Sequence, residues 1–236
     1  MKQRIQVILV LGMLAAAIRL AWILYERHEE SAVPEKQQTV TLDPDLYVTS
    51  KKMYLYDLKS AKTEITKQPV WVKVGYAYGY FPYDPATRHA DLAHEAGKLL
   101  PIQKLEVKDI VTGSSPKNPG ERQILAVFEQ DGKSYATPIG TGKGGDFKFW
   151  ANEMLFIEDP HQLYKHWPAE IWQAVDQHQV KSGMSELQAN FALGIGLLES
   201  GGDSTDRTLD YPNGGKPIKI SYHSGKVVDI TPGPAS

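Results

Sequence analysis

The sequence predicts an α+β protein with an N-terminal transmembrane helix, a small β-barrel or sandwich region, and a closing module of two helices and a three-stranded antiparallel sheet. Three observations predict it. Residues 5–25 form one apolar run, short β-type runs punctuated by Gly, Pro, Asn and Asp fill residues 42–158, and helical spacing returns after Glu158-Asp159-Pro160. At 236 residues and 42% hydrophobic content the chain can bury the core of one large or two small domains. Lacking cysteine, it has no disulfide, thiol nucleophile or thiolate metal site. A formal charge of −2 provides no basic surface for a phosphate backbone, so nucleic acid is not an expected partner.

Residues 1–4, with Lys2 and Arg4, are expected on the cytoplasmic side. Ile5 to Tyr25 is apolar apart from Gln6 and Arg19, long enough to cross a hydrocarbon core of roughly 30 Å as a single-pass signal anchor. Trp22 and Tyr25 would anchor the far interface, and Arg19 would snorkel toward it. Positive charge before the run and net acidic charge after it place the bulk of the chain outside the cytoplasm, on the periplasmic side of an inner membrane. The alternative is a signal peptide cleaved at Ala17, within Ala15-Ala16-Ala17, which leaves a secreted periplasmic protein. Residues 26–41 are polar, contain Pro34, and form a linker.

In residues 42–158 the firmest expectation is a hairpin of Ile124–Glu129 and Lys133–Ile139 around Asp131-Gly132. Alternation from Trp71 to Tyr80 places Val72, Val74, Tyr76, Tyr78 and Tyr80 on one strand face. Together with Phe81 and Tyr83, Tyr76, Tyr78 and Tyr80 are the candidate binding residues, an aromatic platform of the kind enriched at interfaces; the alternative is a strand whose tyrosines pack inside. Residues 84–98 are a short helix or an excursion, 97–111 hold a further strand, and 114–120 a loop.

Residues 159–230 are expected to order as helix, helix, strand, strand, strand. Pro168 suits the first turn of a helix that carries Ile171, Trp172 and Val175 to about His178. In the second helix Ser185 and Gln188 form a capping box, and Gly194 terminates it. A strand around residues 208–211 precedes a hairpin of 218–222 and 227–230 turning at Gly225, and residues 231–236 form a disordered tail.

The run Val180-Lys181-Ser182-Gly183-Met184-Ser185-Glu186-Leu187-Gln188, followed by Leu193-Gly194, resembles the Gly-Met-Thr/Ser-x-x-Gln…Leu-Gly signature of the BamE-like (SmpA/OmlA) family. The resemblance implies a small envelope module, two short helices and a three-stranded sheet, that binds other proteins or lipid headgroups. It assigns Gly183, Met184, Ser185, Gln188 and Gly194 to the structural motif. Where that family usually shows Gly-x-Pro, this chain has Gly194-Ile195-Gly196. Residues 42–158 weakly resemble a bacterial SH3-like barrel through their short strands and the aromatic stretch 71–83.

Catalytic chemistry finds no pattern. Gly140-Thr141-Gly142-Lys143-Gly144-Gly145 lacks both the leading glycine and the Ser or Thr of a phosphate loop. His89/His94 and His161/His166 are each five apart, which on a helix turns them about 140° from one another, so no metal site is expected. Glu199, Asp203, Asp206 and Asp210 lack calcium-loop spacing, and no nucleophile elbow is present. The expected function is a non-catalytic, membrane-tethered envelope protein that binds other envelope proteins without a cofactor. The alternatives are a periplasmic small-ligand sensor or an envelope hydrolase.

Overall fold

The computed structural model describes residues 12–26, 43–75, 78–115, 118–201, 203–213 and 216–233. Residues 1–43 and 44–236 are two separate units. In the first, residues 12–26 form helix α1. Among the described residues no helix is long and apolar enough to cross a membrane. The expected transmembrane signal anchor at 5–25 is thereby corrected; its first turns, residues 5–11, lie outside the described residues, as do linker residues 27–41 and tail residues 234–236.

The second unit opens with a 3-10 turn, Pro44–Tyr47, and helix α2, Leu58–Thr66. Strands β1 (Val70–Val72), β2 (Gly79–Asp84), β3 (His89–Ala90), β4 (Gly97–Lys98), β5 (Lys104–Leu105), β6 (Val107–Ser114), β7 (Arg122–Gln130), β8 (Lys133–Lys143) and β9 (Asp146–Phe149) follow. Helix α3 (Ala151–Met154), strand β10 (Leu155–Phe156) and helices α4 (Pro160–Leu163), α5 (Ala169–Asp176) and α6 (Glu186–Leu193) lead to strands β11 (Leu197–Gly201), β12 (Arg207–Tyr211), β13 (Ile218–His223) and β14 (Lys226–Pro232).

The expected barrel is an open sheet. Its order is β3-β2-β8-β7-β6, with β4 beside β2 and β9 beside β8, and among the described residues no pairing joins β6 back to the other edge. The reason lies in residues 70–84. The single strand expected from 71 to 80 is two, and β1 leaves to pair antiparallel with β5 and β10 in a separate three-stranded sheet. Among the described residues no strand is then left to close the barrel. The Asp131-Gly132 turn forms its hairpin, with Gln130 opposite Lys133. Helix α2, started by a capping box in which Asp57 accepts from the Ser60 amide, packs on β6 and buries Ala61 and Ile65 against one sheet face. That face holds Ile124, Ala126 and Phe128; the opposite face carries a smaller cluster of Val111, Leu125, Val127 and Ala136, onto which Tyr83 and Leu92 fold. Residues 84–98 are thus an excursion that covers the sheet.

The closing sheet has four strands, in the order β11-β12-β13-β14, where three were expected. Its buried face packs on α5 and α6 through Leu209, Tyr211, Ile220 and Val227, which meet Trp172, Val175, Met184 and Phe191. Burying each of these large side chains stabilises the fold by about 1.5–3 kcal/mol. The same core includes Ile102 and Phe156 and takes in Val48, Trp71 and Val74 from earlier in the chain, so the division at residue 159 does not separate two cores. Asp45 fastens the start of the unit to this region: its Oδ1 accepts from His166 Nε2 at 2.6 Å and from Trp167 Nε1 at 2.7 Å.

Candidate functional site

The four described members of the aromatic stripe do not share a surface. Tyr78 and Tyr80 pack on the larger sheet core, where Tyr80 meets Tyr135 and Phe128 edge to face at 4.9 and 5.8 Å. Phe81, opposite Ala136, and Tyr83 belong to the other face. Tyr76 lies outside the described residues. Strand alternation accounts for the division, since neighbouring residues of β2 point to opposite faces.

The signature residues serve α6 and its sheet. Gly183 donates its amide to the Val227 carbonyl at 2.8 Å, Met184 is fully buried, and Met184 O accepts from the Val227 amide at 2.8 Å. Ser185 and Gln188 exchange their capping-box hydrogen bonds at 3.2 and 2.8 Å. Gly194 ends the helix with φ 92° and ψ −173°, a conformation open to glycine alone.

Between α4 and α5 lies a shallow cleft of about 610 Å³, bordered by His161, Lys165, Trp167, Trp172, Gln173 and Asp176. His161 stacks on Trp172 with ring centres 4.1 Å apart. Its Nδ1 donates to Asp159 at 2.9 Å and its Nε2 to Asp176 at 3.1 Å, so both nitrogens are engaged, as an imidazolium requires. Burial works to lower the His161 pKa, but the hydrogen bonds and charges of Asp159 and Asp176 together outweigh it, and the net shift is upward. A ring held this way is a clip between α4 and α5, not a free base. Its stabilisation is complete below the ordinary histidine pKa and is lost as pH rises through the elevated one. Discounted for solvent, the amount is below about 1 kcal/mol. Urea midpoints should therefore fall less on going from pH 6 to pH 8.5 in His161→Gln than in the unaltered protein; parallel profiles would refute the clip.

The other candidate groups are occupied locally. His94 pairs with Asp91 at 2.8 Å and His223 with Asp206 at 2.7 Å. Among the described residues no three His, Cys, Asp or Glu side chains converge as a metal site. The glycine-rich run 140–145 is explained by aromatic neighbours. Gly140 lies under Phe149, where a Cβ would meet the Lys148 carbonyl oxygen at 2.6 Å, and Gly142 lies under Phe147. Gly144 and Gly145 turn β8 into β9. Gly140→Ala should thus cost about 1–3 kcal/mol through overpacking, and Lys143→Ala less than about 0.5 kcal/mol. Thermal melts of the two variants check the ordering.

The feature that sequence reasoning missed is β11. It pairs with β12 on one side, Leu198 opposite Leu209 and Leu197 opposite Asp210, and forms an edge of its sheet. Leu197 and Leu198 are 65% and 66% exposed. Its surroundings are acidic. Glu199 pairs with Lys219 and holds that ammonium above its usual range. Asp203 Oδ1 accepts from Thr205 Oγ1 and from the Thr205 and Asp206 amides, which hold its carboxyl below the usual range. Arg207 is committed to Glu186 of α6 through bonds of 2.7–3.0 Å. Asp210 Oδ1 is buried without a hydrogen-bond partner among the described residues, at a cost of about 1–3 kcal/mol. Ile195 and Leu197 alternating after a helix stop, before Gly201-Gly202, were the signal for this strand. No family model, curated protein or solved structure matches the chain.

Proposed function

We propose that this chain is a non-catalytic protein-interaction module, and that a partner adds a strand at the β11 edge. The observation that carries the proposal is the pair Leu197 and Leu198, exposed on a strand that, among the described residues, has a neighbour on one side only. Backbone groups along such an edge are a template for an extended segment, and exposed leucines supply apolar contact beside it. The engagement of both His161 nitrogens argues against a hydrolase using that ring as its base. The resemblance of residues 180–194 to a module that binds other proteins points the same way.

Peptides selected from a displayed library against the full chain test the proposal. Binders are expected to be extended, to slow amide exchange in residues 197–201, and to lose affinity for Leu198→Asp. Binders that leave β11 exchange unchanged would refute it. The cleft beside His161 favours the alternative, a small-ligand sensor. Quenching of Trp172 fluorescence by a small molecule, abolished in Trp172→Phe, would establish it.

A further inference from the structure

We infer that the segment accepted at the β11 edge is cationic: an extended strand whose apolar side chains cover Leu198 on one sheet face and whose arginine, on the other, passes over Leu197 toward Glu199 and Asp210. This rests on the β11 edge being the docking place. From β11 through β12 the chain carries Glu199, Asp203, Asp206 and Asp210 against Arg207 alone, and Arg207 is spent on Glu186. Lys219 lends its ammonium to Glu199, and the exposed His223 ring lies on Asp206. The corner is left with a net negative charge.

Part of that charge lies on a sheet face next to the open edge. Leu197 and Asp210 are directly paired, so their side chains lie on one sheet face, together with Lys219 opposite Asp210. A strand added beside β11 stands two interstrand spacings, about 10 Å, from β12. That separation is within the combined reach of an arginine and an aspartate side chain. Asp210 adds to this: its Oδ1 has no hydrogen-bond donor among the described residues, and its charge acts on the same Lys219 ammonium that pairs with Glu199, so two carboxylates share one cation and a need for a second remains. A neutral or acidic strand would leave it unmet and bring its own charge against Glu199.

Three synthetic peptides on one alternating valine framework, with arginine, serine or glutamate at the intervening positions, are titrated into the full chain at 50 and 300 mM NaCl. Amide exchange is followed in parallel. The arginine peptide should bind at least tenfold tighter than the serine peptide, with protection of residues 197–201, and its advantage should shrink at the higher salt. Asp210→Asn and Glu199→Gln should each reduce arginine-peptide affinity and leave the serine peptide unchanged. Equal binding of serine and arginine peptides with β11 protected would overturn the cationic assignment and leave the edge as the docking place. Binding of any peptide without β11 protection would overturn both, as would no binding at all. Self-association of the chain that protects β11 without peptide would give the edge to a second copy and also overturn the inference.

Discussion

Replacing Phe191 with alanine is expected to lower folding stability by about 3–5 kcal/mol, the range for deleting a buried phenyl ring. The ring is 2% exposed. Tyr164 and Trp167 meet it edge to face at 4.9 and 5.0 Å, and Phe156 and Trp172 lie 6.3 Å away. Four aromatic neighbours from the β10–α5 region cannot close over the vacated space together, so most of the cavity would persist. The urea midpoint should fall with the slope unchanged, and Phe191→Leu should recover a large part of the loss. A midpoint shift equivalent to less than about 1 kcal/mol would mean that the aromatic cluster is not the centre of this core.

Raising the pH from 10 to 12 should destabilise the protein by on the order of 3–5 kcal/mol, through two buried phenols. Burial pushes the Tyr222 phenol up to about 12, and burial reinforced by the hydrogen bond to Tyr222 pushes Tyr211 higher still. Their hydroxyls lie 2.8 Å apart, and Tyr211 donates to Asn190 at 2.9 Å. In the unfolded chain tyrosine ionises near pH 10, while in the fold both remain neutral. Their contribution is therefore present below pH 10 and is lost as pH climbs toward the folded values. Each retained proton sets a slope of about 1.4 kcal/mol per pH unit. Tyr222→Phe, which keeps the Tyr211–Asn190 bond, should about halve the decline in urea midpoints between pH 10 and 11.5. An unchanged decline would place the alkaline lability elsewhere.

Local rules were legible where the residues satisfying them are neighbours in sequence. The Ser185–Gln188 box needs four consecutive positions and the Asp131-Gly132 turn needs two, and the structure forms both. Asp57 and Ser60 offered an equally local signal for α2, and Leu58, Ala61 and Ile65 recur at helical spacing, but the helix is polar at its other positions and its signal was passed over. Long-range pairing was not legible. Trp71 reads as the start of one strand running to Tyr80, and nothing nearby announces that Leu155 and Phe156 draw β1 into another sheet. The exposed β11 edge was hidden for a similar reason. Leu197 and Leu198 look like core residues by hydrophobicity, and only the order of the strands shows them at the rim. The apolar character of residues 5–25 was plain, but apolarity is not a span, and the described residues contain no helix of the needed length and character.

The Asp45 fastening also sets how the unit bears mechanical force. A pull on the chain ahead of residue 44 arrives first at one carboxylate oxygen gripping an indole 122 positions away, rather than at the sheet that follows in sequence. The first load-bearing bonds therefore run from Asp45, ahead of α2 and β1 in sequence, to the tryptophan-rich region. Behind them the Lys51 amide is held by Glu158 and the Met53 backbone by both polar side-chain atoms of Asn152, so the load meets these bonds before it reaches α2.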